Sequence, residues 1–263
     1  ASDIVHGGFG SDTIYGSEGN DLIDGGRAHG TNINLDTDID ILDYSNATLQ
    51  WFGSGLNVNF EQVSSNDNVG NSDPAYFDHR ISVNGTGLWF GNFTDYAYDI
   101  EKLILTDKND TIAFDPNITK TYEIDGGGNG TDSDVVDYSL YGNTNITVDL
   151  TTGLDSLGNT LIDIEGAEAA TAGTLDFIGN TLNNIATGAG GDDNLDGGSG
   201  SNVLYGMGGN DFLSFNTGNA AYFSQAFGGD GIDYFQLVGG GDVLIKYYNT
   251  ILTEAGIIKE VEG

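Results

Sequence analysis

Large apolar residues recur at every ninth position near both ends of this chain. Ile14 and Ile23 keep that spacing at the start, and Ala186, Leu195, Leu204 and Leu213 keep it over residues 179–214. Phe235 stands in an isolated copy at 228–236. The positions between them are glycine, aspartate, asparagine and other small polar residues. The four central units read GNTLNNIAT, GAGGDDNLD, GGSGSNVLY and GMGGNDFLS, and the first two are GGFGSDTIY at 7–15 and GSEGNDLID at 16–24. One inward apolar residue per nine predicts a very short strand followed by a tight turn. Nine residues then make half a coil of a β-solenoid, and residues eighteen apart stack. No apolar stripe at i, i+3, i+4, i+7 with caps is present, so helices are not expected.

A longer repeat lies between the two arrays. Asp40-Ile41-Leu42-Asp43-Tyr44-Ser45 recurs as Asp134-Val135-Val136-Asp137-Tyr138-Ser139. Each copy leads to an alternating strand, Leu56–Phe60 or Ile146–Leu150, and then to Asp99-Ile100-Glu101 or Asp163-Ile164-Glu165. Period-two alternation places Leu56, Val58 and Phe60 on one face. These segments predict wider, degenerate rungs over 34–178. The first copy carries an aromatic-rich insertion at about 61–98, with Tyr76, Phe77, Trp89, Phe90, Phe93, Tyr96 and Tyr98. A hairpin or flap on one edge of the solenoid is the expected form. Residues 1–33 and 179–236 then form two regular arrays, and 237–263 supplies capping strands, because a solenoid end needs covering. The fold class is all-β, a parallel β-roll or β-solenoid with nonapeptide turns, wider rungs and one inserted flap.

Composition changes this picture in one respect. The chain has 40 acidic and 7 basic residues, a formal charge of −33, and 42 glycines against 2 prolines. Acidity on that scale often means disorder. Here the acids fall in register with the repeat, and 13 Tyr and 13 Phe supply core material. The expected behaviour is a fold that repels itself until cations arrive. Nucleic acid is excluded as a partner, since phosphate contacts need a basic patch. No run of 18 apolar residues predicts a membrane span. There are no cysteines, so metal ions take the place of disulfides as staples. The first residues, Ala1–His6, read as the back half of another repeat, as in a piece of something larger.

The cation chemistry follows from the turns. Glycine permits φ > 0 and bare carbonyls, and each aspartate adds a hard oxygen ligand. Asp3 lies eighteen residues before Asp21, and Asp193 eighteen before Asp211, so each pair is expected to share an ion. An all-oxygen set suits Ca²⁺. It does not suit Zn²⁺, which prefers Cys and His, or Mg²⁺, which retains its waters.

These units resemble the RTX, or repeats-in-toxin, family of bacterial proteins exported by type I secretion. The resemblance implies a parallel β-roll with Ca²⁺ in its turns, exported unfolded and folding in external calcium. Carried over by position, it implies side-chain ligands at Asp3, Asp12, Asp21, Asp193, Asp211 and Asp233. Gly8, Gly10, Gly19, Gly191 and Gly209 take loop positions. Asn184 and Asn202 occupy aspartate slots, and Asn202 is carried as a weaker, neutral ligand. The unit at 25–30 has glycine in place of its aspartate, and Phe215–Gly218 has lost the loop. Roughly two to five ions are expected. Asp36, Asp38 and Asp40 alternate like an EF-hand start, but the glycine and the closing glutamate of that loop are missing.

No nucleophile elbow, phosphate loop or zinc-protease helix is present. His6, His29 and His79 are scattered, with no partner suited to proton transfer. The reading is therefore not an enzyme but a structural segment of a large secreted protein, such as an adhesin or surface-layer protein. Its expected partners are calcium, cell-surface polysaccharide and copies of itself. The alternatives are the carboxyl-terminal secretion module of an exported protease or lipase, and a carbohydrate-binding module using residues 61–98.

Overall fold

The structure is a computed structural model and describes residues 2–17, 19–26, 38–45, 55–62, 79–87, 91–130, 132–169, 171–218 and 224–239. The chain divides into two compact units, residues 1–132 and 133–263. Each is built from two mostly parallel sheets of short strands, as the nine-residue period predicts.

In the first unit, one sheet has the order β1 (Ile4–His6), β3 (Leu22–Asp24), β7 (Gly91–Tyr98), β6 (His79–Gly87), β5 (Asn57–Gln62), β9 (Thr111–Phe114). The other runs β2 (Thr13–Tyr15), β4 (Ile41–Asp43), β8 (Lys102–Ile104), β10 (Glu123–Asp125). Apart from β5, β6 and β7, which follow one another in one sheet, successive strands alternate between the sheets, and stacked strands pair in parallel, Ile4 with Leu22 and Ile41 with Lys102. In β2, β3, β4, β8 and β10 the middle side chain of the three points into the core. Ile14, Ile23, Leu42, Leu103 and Ile124 are those middle residues, and all are buried. Phe60 and Phe114 stack with centroids 4.8 Å apart.

The insertion differs from the flap expected at a sheet edge. Its strand β6 lies inside the sheet, antiparallel to β5 on one side and β7 on the other. The reason is burial. Ile81 and Val83 on β6, and Phe93 and Ala97 on β7, alternate into the core, which a stand-off hairpin would leave wet. Residues 63–78 and 88–90, with Tyr76, Phe77, Trp89 and Phe90, lie outside the described residues.

In the second unit, one sheet has the order β11 (Val135–Asp137), β15 (Gly166–Glu168), β17 (Ile185–Thr187), β19 (Val203–Gly208), β21 (Gln225–Asp230). The other runs β14 (Thr160–Ile162), β13 (Leu154–Asp155), β12 (Ile146–Asp149), β16 (Leu175–Ile178), β18 (Asn194–Asp196), β20 (Phe212–Gly218), β22 (Tyr234–Gly239). The register steps by eighteen from Ile185 to Val203 and from Asn194 to Phe212. It lengthens to 22 from Phe212 to Tyr234. Ala167, Ala186, Leu204 and Ala226 stack in the core of one sheet, Phe177, Leu195 and Leu213 in the other, all buried. Each large one contributes roughly 1.5–3 kcal/mol. The expected capping strands begin with the end of β22. Residues 240–263 are outside the described set.

The longer repeat is a structural repeat. Tyr44 and Tyr138 are fully buried, and each donates its hydroxyl to an aspartate, Asp95 at 2.7 Å and Asp155 at 2.8 Å. Asp99 and Asp163 share a positive φ, 52° and 48°.

Candidate metal centre

The turns between strands stack directly on one another. In the second unit, a Cβ added at Gly191 would collide with the carbonyl of Gly173, one at Gly209 with that of Gly191, and one at Gly231 with that of Gly209. Gly209 and Gly231 also have φ of 114° and 134°. Only glycine combines that backbone with so close an approach. The first glycine of each unit has a different task. A Cβ at Gly188, Gly206 or Gly228 would occupy the space of the carboxylate five residues later, on Asp193, Asp211 or Asp233. The repeat thus builds a carboxylate pocket from a missing side chain.

The aspartates form columns. Asp193 N–H donates to Asp211 Oδ1 at 2.9 Å, and Asp211 N–H to Asp233 Oδ1 at 3.1 Å. In the first unit Asp3 N–H donates to Asp21 Oδ1 at 2.8 Å, and Asp21 N–H to Asp95 Oδ1 at 2.9 Å. A second column there runs from Asp12 to Asp40 at 2.8 Å and on to Glu101 at 2.8 Å. One oxygen of each later acid is thereby fixed by the neighbouring rung, and the other is left for further chemistry. Asp21 Oδ2 takes Ser17 Oγ and Asp193 Oδ2 takes Ala189 N–H. Asp211 Oδ2 and Asp12 Oδ2 are buried and accept no hydrogen bond.

Burial of Asp211 pushes its pKa to about 7, with Asp193, Asp233 and Asp192 adding repulsion. Asp193 and Asp233 are also raised, first by desolvation. A buried carboxylate oxygen that accepts no hydrogen bond, beside the backbone carbonyl of Gly228 and close to other carboxylates, fits a hard divalent cation. This donor set is all oxygen, as Ca²⁺ prefers.

The positions expected as sites fall into these columns unevenly. Asp3, Asp12, Asp21, Asp193, Asp211 and Asp233 are all in them. Asp3 and Asp21, and Asp193 and Asp211, do stack as their spacing predicts, through a backbone-to-carboxylate bond. Gly8, Gly10 and Gly19 have φ of 107°, 90° and 142° in the first-unit turns, while Gly191 and Gly209 line the second-unit stack. Asn202 lies on the opposite edge, in a column with Asn184 and Ser224. Asp36 and residues 27–30 are outside the described set.

Further acids join the same arrangement. Asp40, Asp95 and Asp110 each precede a residue and then a buried apolar side chain, Leu42, Ala97 and Ile112. That aspartate, any residue, apolar triplet survives where the glycines are lost. Asp110 accepts from Leu56 N–H and from Thr106 N–H. In the second unit Asp134 N–H donates to Glu165 Oε2 at 3.0 Å, which repeats the bond from Asp40 to Glu101. In the first-unit rung, Glu101 Oε1 also receives Lys120 Nζ at 2.6 Å.

Stacked parallel turns, glycine-made pockets and columns of buried aspartate define a calcium-binding β-roll. A family model for the RTX calcium-binding nonapeptide repeat matches in four copies, at residues 1–31 and 178–219. The chain carries RTX calcium-binding repeats at both places, and such repeats bind calcium. Comparison with curated proteins gives no match.

Proposed function

We propose that this chain is a calcium-stiffened structural segment of a large secreted bacterial protein, folding outside the cell when Ca²⁺ fills its turns. The observation that carries the reading is Asp211, fully buried, with one carboxylate oxygen that no protein group satisfies. Leaving that charge alone costs free energy in the metal-free chain, and a cation removes the cost. The formal charge of −33 adds a general repulsion that Ca²⁺ relieves. A surface role, as in an adhesin or surface layer, fits a rigid stack with no catalytic constellation in its sequence. Calcium also offers a bridge to anionic polysaccharide or to a second copy. By this reading the segment is not an enzyme.

The test is circular dichroism and hydrogen exchange in EGTA, followed by millimolar Ca²⁺. The expected result is a large gain in β signal and in amide protection across 179–236. A chain equally folded and equally protected in both conditions overturns the proposal.

A further inference from the structure

The two edges of the second unit treat the same loop differently. On the edge of Asp193, Asp211 and Asp233 the side chains are carboxylates. On the other edge the same position holds Asn184, Asn202 and Ser224. We infer that Asn202 acts as a built-in substitute for calcium, so that the loop it closes needs no metal and the ions of the 179–236 array lie on the aspartate edge alone. This rests on the calcium reading above and deepens it.

The argument begins with Asn202, whose side chain is fully buried. Its Oδ1 accepts Asn184 N–H at 2.8 Å, the same spine bond that Asp211 Oδ1 makes with Asp193 N–H. Its Nδ2 turns back into its own loop and donates to Ser199 O at 3.1 Å and Gly198 O at 3.4 Å. At the matching atom, Asp211 carries Oδ2, which accepts nothing. The amide orientation is set by these partners. A flipped amide would place its NH₂ against the Asn184 N–H and its oxygen against two carbonyls.

An amide NH₂ and a calcium ion present the same sign of charge to a carbonyl. At Asn202 the loop carbonyls are therefore already engaged by the protein. Gly200 O is engaged as well, by Ser224 Oγ at 3.3 Å. Asn184 is also satisfied by the protein, with its amide turned the other way. Its Oδ1 accepts Asn180 N–H at 3.0 Å, and its Nδ2 donates to Glu165 O at 3.1 Å. A cation entering here would have to break donor bonds and would gain only a neutral amide oxygen. A cation entering at Asp211 breaks none and meets a charge.

The consequence is a one-sided metal edge. The loops of Asn184 and Asn202 are closed in the metal-free chain, and they hold the loops of the aspartate edge near their final spacing before calcium binds. Asn202 is thus a positioning residue rather than a ligand.

The experiment is calcium stoichiometry on the full chain, by equilibrium dialysis and calorimetry, for wild type, Asn202→Asp, Asn202→Ala and Asp211→Asn. Asn202→Asp is expected to bind an additional calcium ion and to lose β signal in EGTA relative to wild type. Asn202→Ala is expected to keep the wild-type stoichiometry while unfolding more easily in EGTA. Asp211→Asn is expected to bind fewer ions. If Asn202→Ala loses an ion, or Asn202→Asp gains none while wild type binds calcium normally, the inference is overturned. If wild type binds no calcium, or Asp211→Asn is unchanged, the underlying calcium reading fails instead.

Discussion

Replacing Asp211 by asparagine should reverse the order of stability between two solutions. The folded pKa of Asp211 is raised to about 7 from 3.8. That difference of roughly three units, at ~1.4 kcal/mol each, makes the ionised side chain in the metal-free fold cost about 4 kcal/mol. Asp211 has no exposed surface, so solvent screening takes little from this cost. The asparagine variant removes the charge and keeps an oxygen for Asp193 N–H. Its NH₂ must find a carbonyl, as that of Asn202 does at Ser199 O. Imperfect pairing lowers the expected gain to about 2–4 kcal/mol in EGTA at pH 8. In calcium at a thousand times the dissociation constant, the variant forgoes a binding term of about 4.1 kcal/mol, which exceeds that gain. Wild type is then the more stable protein in calcium and the less stable in EGTA. Urea unfolding followed by circular dichroism in both solutions measures this. A variant less stable than wild type in EGTA, or one with an undiminished calcium response, refutes the reasoning.

Three other outcomes follow from the same geometry. In EGTA, wild-type stability should fall as pH rises from about 4 to 8. Asp211 at about 7, with Asp95 and Asp110 at about 6, keeps a proton in the folded state after the unfolded chain has lost it, so the unfolded state binds fewer protons across that window. A flat or rising profile in urea titrations at stepped pH would contradict this. Gly209→Ala forces a side chain into φ 114° and against Gly191 O, and should destabilise by about 2–4 kcal/mol. Gly190→Ala, which meets nothing nearer than Thr171 O at 3.3 Å, is the thermal-melt control and should cost about 1 kcal/mol or less. Tyr138→Phe removes the hydroxyl bond to buried Asp155 and should cost about 1–3 kcal/mol by denaturant midpoint.

Much of the roll was legible because its period is short and its inward residue is always apolar. Ile14, Ile23, Ala186, Leu195, Leu204 and Leu213 are all buried where the nine-residue spacing puts them. The insertion was less legible. Alternation placed Leu56, Val58 and Phe60 of the neighbouring strand on one face, and all three are buried, but it carries no information about which strand lies alongside. Hence β6 was expected at an edge and is found between β5 and β7. The aspartate columns of the middle rungs were hidden for a different reason. The glycines were the conspicuous signal, while Asp40, Asp95 and Asp110 keep only the triplet that ends on a buried apolar residue. The direction of the Asn202 amide could not be read either, because an asparagine in an aspartate slot is compatible with a ligand or a donor until its neighbours are placed.

The middle rungs clarify why calcium is needed only in places. Every buried acid in the roll needs something positive facing it, and the chain meets that need with different groups. A tyrosine hydroxyl serves Asp95 and Asp155. An ammonium serves Glu101, through Lys120. Backbone N–H groups and a threonine hydroxyl serve Asp110. An amide replaces the acid altogether at Asn202. Asp12 and Asp211 each keep one buried oxygen that accepts no hydrogen bond, and each lies within one of the two segments that match the RTX repeat; buried Asp134 and Glu165 lie outside those segments. The units that keep Gly7 or Gly206 keep a carboxylate pocket that no side chain enters, and a pocket closed to side chains can be filled only by something from solution. The rungs of Asp95, Asp110 and Asp155 instead bring hydroxyl or N–H donors to their own acids. Calcium dependence therefore follows where a buried carboxylate oxygen lacks a donor rather than the number of aspartates, which is why a chain acidic along its whole length can confine its ions to a few turns.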